Sequence, residues 1–369
     1  MRNTMRYAGC GLVIGLLVGV PAAGAIVGWG LNDNGQCNVP APNSGFVAIA
    51  GGCEHSLGLK ADGSILAWGT NSDGQCNVPS PNSGFVAVAG GGDLSGGHSL
   101  GLKAEGSIVA WGLNGYGQCD VPAPNSGFVA VAAGQAHSLG LKADVSIVAW
   151  GYNYSGQCNV PAPNSDFIAV AAGRHHSLGL KADGSIVAWG NNLSPDGYPV
   201  GQCNVPAPNS GFVAVAGGGY HSLGLKADGS IVAWGYNYCG QCNVPAPNSA
   251  FVAVAGCWYH NLGLRADGSI TAWGDNTYGQ CDVPAPNSGF VAVAGGGYHS
   301  LGLRGHAGDM NCDGVVGFGD INPFVLALAS WGTYLELYPD CDIYLADING
   351  DGYVNFRDIN PFVALLAGG

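Results

Sequence analysis

Apolar and polar positions recur along most of this chain in one repeated phrase. Over residues 26–304 the unit reads GFVAVAGGxxHSLGLKADGSIVAWGxNxxGQCNVPAPNS. Three runs in it, FVAVA (a), HSLGLK (b) and SIVAWG (c), are short, rich in small and β-branched residues, and bounded by turn formers, which predicts strands. KADGS between b and c supplies Asp-Gly, a strong hairpin signal. QCNVP reads as an outer strand d, with its Pro on an edge that needs no ladder partner.

The unit repeats at a fixed interval. Its Trp stands at Trp29, Trp68, Trp111, Trp150, Trp189, Trp234 and Trp273, 39 to 45 residues apart. A period near 40 with four antiparallel strands per unit predicts a propeller blade. Strand a opens seven times, from Phe46 to Phe290, and the last unit stops after b at Arg304. Residues 26–40 carry c and d with no a or b before them. The two fragments complete one blade, which an open solenoid has no need of. The fold class expected is an all-β seven-bladed propeller over 26–304, its seventh blade built from 290–304 plus 26–40.

The motifs GxxHSLxL, DGxVxxWGxN and GQ, carried with variations by a unit that recurs seven times, resemble the RCC1 family, and the short-repeat secreted bacterial members most of all. The resemblance implies a β-propeller scaffold. Nucleotide exchange on a small GTPase and chromatin binding, known in the family, are not expected of an acidic, exported chain.

Composition narrows the class. Charged residues are 9%, against roughly 25% in an ordinary soluble protein, which speaks against helices with solvated Glu/Lys faces. Hydrophobic residues at 47% can fill a core, so a disordered chain is excluded. The net charge of −13 disfavours a nucleic-acid partner, which needs clustered Lys and Arg. Arg2 and Arg6 precede the apolar residues 10–20, then Pro21 and Ala23-Gly24-Ala25, the pattern of a signal peptide over 1–25. That run is too short to span a bilayer, so no transmembrane segment is expected. The mature chain is expected to start near Ile26, secreted or at the cell surface, where disulfides form.

Alternating strands put the ab and cd loops on one face and the KADGS and PAPNSG loops on the other. The second set is nearly constant, apart from Glu105 and Val145; the first varies. Insertions precede His98, around residues 93–96, and Cys203, around 194–199. Aromatics gather on the variable side: Tyr116, Tyr152, Tyr154, Tyr198, Tyr220, Tyr236, Tyr238, Trp258, Tyr259, Tyr278 and Tyr298. Rigid aromatics among Gly, Ser and Asn mark recognition surfaces, so this is the candidate binding face, for an unidentified protein or glycan. Drift after duplication is the competing explanation.

No catalytic group is assigned. Seven identical His in seven blades suit hydrogen bonds to loop backbones better than one asymmetric catalytic set. Cys37, Cys76, Cys119, Cys158, Cys203, Cys242 and Cys281, at the GQC position, read as small buried apolar groups too far apart to bridge. Cys239 and Cys242 form a CxxC without the βαβ setting of a redox motif, with a local disulfide as the alternative. Cys53 and Cys257 lie in loops of non-adjacent blades.

The period ends at Arg304. A linker, 305–308, leads to residues 309–369, which with the linker hold nine acids and one Lys or Arg, Arg357. DMNCDGVVGFGDINPFV from Asp309 and DINGDGYVNFRDINPFV from Asp347 fit the spacing of calcium loops. The first offers Asp309, Asn311, Asp313, the Val315 carbonyl and Asp320; the second Asp347, Asn349, Asp351, the Tyr353 carbonyl, Asn355 and Asp358. Two calcium ions are therefore expected. Cys312 and Cys341, the only cysteines of this small exported module, are expected to form a disulfide. A helix is expected after each loop, with Pro323 and Pro361 in its first turn. This loop–helix pair resembles a type I dockerin, an EF-hand-like module, which implies docking to a cohesin-like receptor. Phe318-Gly319 and Phe356-Arg357 replace the Ser-Thr common at the family's partner-reading positions.

The sequence thus points to an exported, non-enzymatic interaction protein. The alternative is an accessory or catalytic part of a polysaccharide-degrading complex; a glycosidase needs two positioned carboxylates, and no pair is evident in the variable loops.

Overall fold

The computed structural model describes residues 24–305, 308–310, 316, 318–338, 343–346, 348 and 354–367. The a, b and c runs form strands in every repeat. After β1 (Ala25–Gly30), blade 1 consists of β2 (Phe46–Gly51), β3 (His55–Lys60) and β4 (Ile65–Gly69), antiparallel in that order. The fifteen strands β5 to β19 repeat the unit as blades 2 to 6, from Phe85 to Gly274. In blade 7, β20 (Phe290–Gly295) and β21 (His299–Arg304) are joined by β1, with Ile26 opposite Leu303 and Trp29 opposite Ser300. Seven three-stranded sheets result.

The outer QCNVP run is not a strand, because its polar groups are already engaged. In blade 7, Cys37 N donates to Asn32 Oδ1 at 2.9 Å and Asn38 N to the Gly35 carbonyl at 2.9 Å. The Gln36 carbonyl instead ties neighbouring blades, accepting from Trp68 Nε1 at 2.9 Å and Ser56 Oγ at 2.8 Å. The same pattern binds each following pair; Trp189 Nε1 and Ser177 Oγ both donate to the Gln157 carbonyl. The PAPNSG loops add a second tie. Asn164 accepts from Ile147 N and donates to its carbonyl, both at 2.8 Å.

The core lies between sheets. Each a-strand Phe lies against the central Gly of strand b. A Cβ on Gly179 would stand 2.5 Å from Phe167 Cε1. The cation ending strand b closes over the same ring, as Lys181 does over Phe167 at 4.6 Å.

The C-terminal module contains α1 (Ile321–Ala329), α2 (Trp331–Leu337) and α3 (Ile359–Ala367). Its core is Met310, Phe324, Ala327, Tyr334, Leu345, Ala346 and Phe362. Phe324 and Phe362, equivalent residues of the two repeats, stack at 4.0 Å and 18°. The chain leaves the propeller on the PAPNSG side, where Gly305 N donates to the Gly289 carbonyl at 3.0 Å.

Candidate functional site

Most positions that repeat identically have a packing or bonding role. The seven repeat His are fully buried and bond the next blade rather than loop backbones. His299 Nε2 lies 3.0 Å from Ser56 Oγ, whose hydrogen goes to the Gln36 carbonyl. Nε2 must therefore carry the proton. His221 bonds Asn261 Oδ1 at 2.7 Å, an acceptor, which requires the same tautomer. Burial pushes these imidazoles from the ordinary 6.5 down to about 3 or 4.

The seven GQC thiols are half-buried, and each donates to a carbonyl, as Cys37 Sγ does to Leu31 at 3.4 Å. Burial pushes Cys37 up to about 12 and Cys242 up to about 11. Cys239 is also raised, by desolvation and Asp275. Neither thiol of the CxxC has the depressed value of an exchange-active cysteine, and the two are not bonded to each other.

The ab loops surround the channel mouth, where Gly and Ala, with Cys53, Gln135, Arg174, Cys257 and Trp258, leave a space of about 20 Å³. That holds about one water. The aromatics form a continuous arc. Tyr116 meets Tyr152 edge-on at 4.9 Å, and Tyr152 meets Tyr154 and His175. His175 meets Tyr220, which touches Tyr236 and Tyr259. Tyr236 stacks with Tyr238. Trp258 and Tyr259 reach Tyr298, which contacts Tyr278 at 5.2 Å. Tyr154 is 91% and Tyr238 86% exposed, whereas Tyr220, 5% exposed, anchors the arc. Tyr198, in the blade 4 insertion, stands out 71% exposed, outside these ring contacts.

A polar relay that sequence reasoning missed crosses this mouth. Gln135 donates to Asp93, Arg174 Nε donates to Gln135 Oε1 at 2.8 Å, and Arg174 Nη1 donates to the Tyr220 hydroxyl at 2.9 Å. The guanidinium also lies over Trp258, 5.1 Å from the ring centre. The sequence signal was Arg174 itself, the one cation of the propeller outside the b-strand ends.

In the C-terminal module, Asp309, Asp320 and Asp358 are buried. Met310 N donates to Asp320 Oδ1 at 2.7 Å, and Asn355 and Asp358 form a reciprocal capping box. Asn311, Asp313, Val315, Asp347, Asn349, Asp351 and Tyr353, the remaining calcium-ligand candidates, lie outside the described residues. So do Cys312, Cys341 and the signal-peptide segment up to residue 23. Among the described residues, no helix is long and apolar enough to cross a membrane.

Six segments, residues 46–75, 93–118, 128–157, 167–194, 212–241 and 251–280, match the Regulator of chromosome condensation (RCC1) repeat. No curated protein sequence matches the chain. Among solved structures the chain is similar to Prp20p from Saccharomyces cerevisiae, with a TM-score of 0.64 and 18% identity over 84% of this chain and 95% of that one. It is similar to human WBSCR16, with a TM-score of 0.60 and 19% identity over 77% and 99%. The ectodomain of the receptor kinase ACR4 from Arabidopsis thaliana gives a TM-score of 0.55 and 26% identity over 69% and 90%. The strand order, the seven sheets and the six matched repeats make this chain an RCC1-like β-propeller followed by a small helical module.

Proposed function

We propose that this chain is an exported, non-enzymatic interaction protein. The propeller binds a partner through the aromatic face, and the C-terminal module binds two calcium ions and docks to a cohesin-like receptor. The observation that carries the reading is the unbroken arc from Tyr116 to Tyr298, built wholly from loops that diverge between otherwise uniform blades. Large rigid rings beside adaptable Gly, Ser and Asn supply contact area at low entropic cost. Protein partners appear in the descriptions of the yeast structures of the same fold: Kap60 in one, Gsp1p and histones in the other.

For the module, the supporting observation is burial of Asp309, Asp320 and Asp358 beside an apolar core. Buried carboxylates need a cation or several donors to offset lost hydration, and their spacing is that of calcium loops.

Two measurements test the reading. Calorimetry should give two calcium ions per full chain, and one in Asp309→Ala or Asp347→Ala; no calcium heat at all refutes that half. Partner capture by the immobilised chain should be lost in Trp258→Ala with Tyr259→Ala and kept in Ser210→Ala on the opposite face. The reverse pattern would place binding elsewhere.

A further inference from the structure

The mouth face is divided by chemistry. It carries six acids, Asp33, Glu54, Asp73, Asp93, Asp196 and Asp275, and one Lys or Arg, Arg174. The other seven cations of the propeller each close over an a-strand Phe at the opposite face. Arg174 is itself engaged, by Gln135, the Tyr220 hydroxyl and the Trp258 ring.

The aromatic arc runs from blade 2 to blade 7 and leaves a gap at blade 1. In that gap lies a polar recess of about 50 Å³, lined by Glu54, Thr70, Ser72, Asp93 and Ser95, with Leu94 at its rim. Asp73 borders it at Gly96. Thr70 Oγ1 lies 3.4 Å from Glu54 Oε2, a long contact. Desolvation, with Asp33 nearby, holds the Glu54 carboxyl above its ordinary range.

We propose that this face docks a partner protein whose contact surface carries a Lys or Arg beside an apolar patch. The cation enters the recess beside Glu54 and Asp73, and the apolar patch lies over Trp258, Tyr259 and Tyr298. This rests on the reading of the face as a partner-binding surface and adds what the partner is made of. A Lys or Arg head can make charge-assisted bonds to both carboxylates while its stem covers apolar surface. An acidic partner would meet six carboxylates. A neutral glycan would donate hydroxyls to these acids but bring no charge to balance theirs.

Fluorescence anisotropy with the full chain tests this at low and high salt. The probes are three synthetic peptides of equal length and equal Tyr and Leu content, with Lys, Gln or Glu at the other positions, and cellohexaose as competitor. The Lys peptide should bind at least about tenfold tighter than the Gln peptide at low salt, and lose that advantage at high salt. Glu54→Gln with Asp73→Asn should abolish the advantage and leave the Gln peptide unchanged; Tyr259→Ala should weaken both. Equal binding of the Lys and Gln peptides, an advantage that survives the acid substitutions, or displacement by cellohexaose overturns the basic-partner proposal and leaves the face reading standing. Binding of no peptide, or binding indifferent to both Tyr259→Ala and the acid substitutions, overturns the proposal and counts against the face reading as well.

Discussion

Gly179 has the Phe167 ring where a methyl group would have to go, with Ile147 Cδ1 3.1 Å away on another side. Gly179→Ala should therefore destabilise the propeller by roughly 1–3 kcal/mol through overpacking, measured as a lower urea midpoint at unchanged slope. Within HSLGLK this glycine looks like a weakness in a strand, because its partner ring lies on another strand. The His belt sets a pH limit. The folded imidazoles titrate near 3 to 4 and the unfolded ones near 6.5. Between those values the unfolded chain binds more protons, so stability is complete above about pH 6.5 and falls as the pH drops. Each His contributes up to roughly 1.4 kcal/mol per pH unit. Melting temperatures should decline steadily from pH 6.5 toward pH 4; a flat profile would mean that the belt is already protonated in the fold.

Among the elements, β1 carries the closure. Trp29 is buried against blade 6, and its Nε1 donates to the Gln280 carbonyl at 2.9 Å. Trp29→Ala should cost about 3–5 kcal/mol. Without residues 24–30, β21 has an open edge. Hydrogen exchange in that truncated chain should show β20 and β21 losing protection before blades 3 to 5. The strands themselves were legible in the sequence. Asp-Gly marks the b–c turn, Phe and His open strands a and b, and the complementary half-repeats gave the seven blades. The outer run was misread as a strand. Its composition suits one, but Asn32 and the turn at Gly35 take its backbone donors first, and short polar side chains that bond their own backbone compete with a ladder.

For the whole molecule, the mouth face and the exit at Gly305 lie at opposite ends of the blades. Removing residues 305–369 should leave partner binding by the propeller intact within about twofold, measured by titration; a larger loss would show that the module shares the site. That the divergent loops share one side was legible, because seven near-copies show directly which loops were free to differ. The internal wiring of that side was not. Asp93, Gln135, Arg174 and Tyr220 come from four blades, 39 to 46 residues apart at each step, and spacing alone cannot say which of forty-odd positions meet at the axis. The module's acids carry their pattern locally, within each short loop, so their spacing is visible without any fold.

The seam between β1 and β21 also orders events in time. Gly30 is made before blades 1 to 6 and His299 after them, yet the two are paired. Bringing such distant segments together costs roughly 3.5 kcal/mol more than closing a turn within a blade. While a ribosome works through blades 1 to 6, β1 stays a bare edge awaiting a partner not yet translated. A chain cut short anywhere before His299 keeps that edge and gains a second at its broken end, the condition that invites aggregation and proteolysis. The ring thus acts as a check on its own completeness: only a chain translated through the last repeat can hide both edges at once.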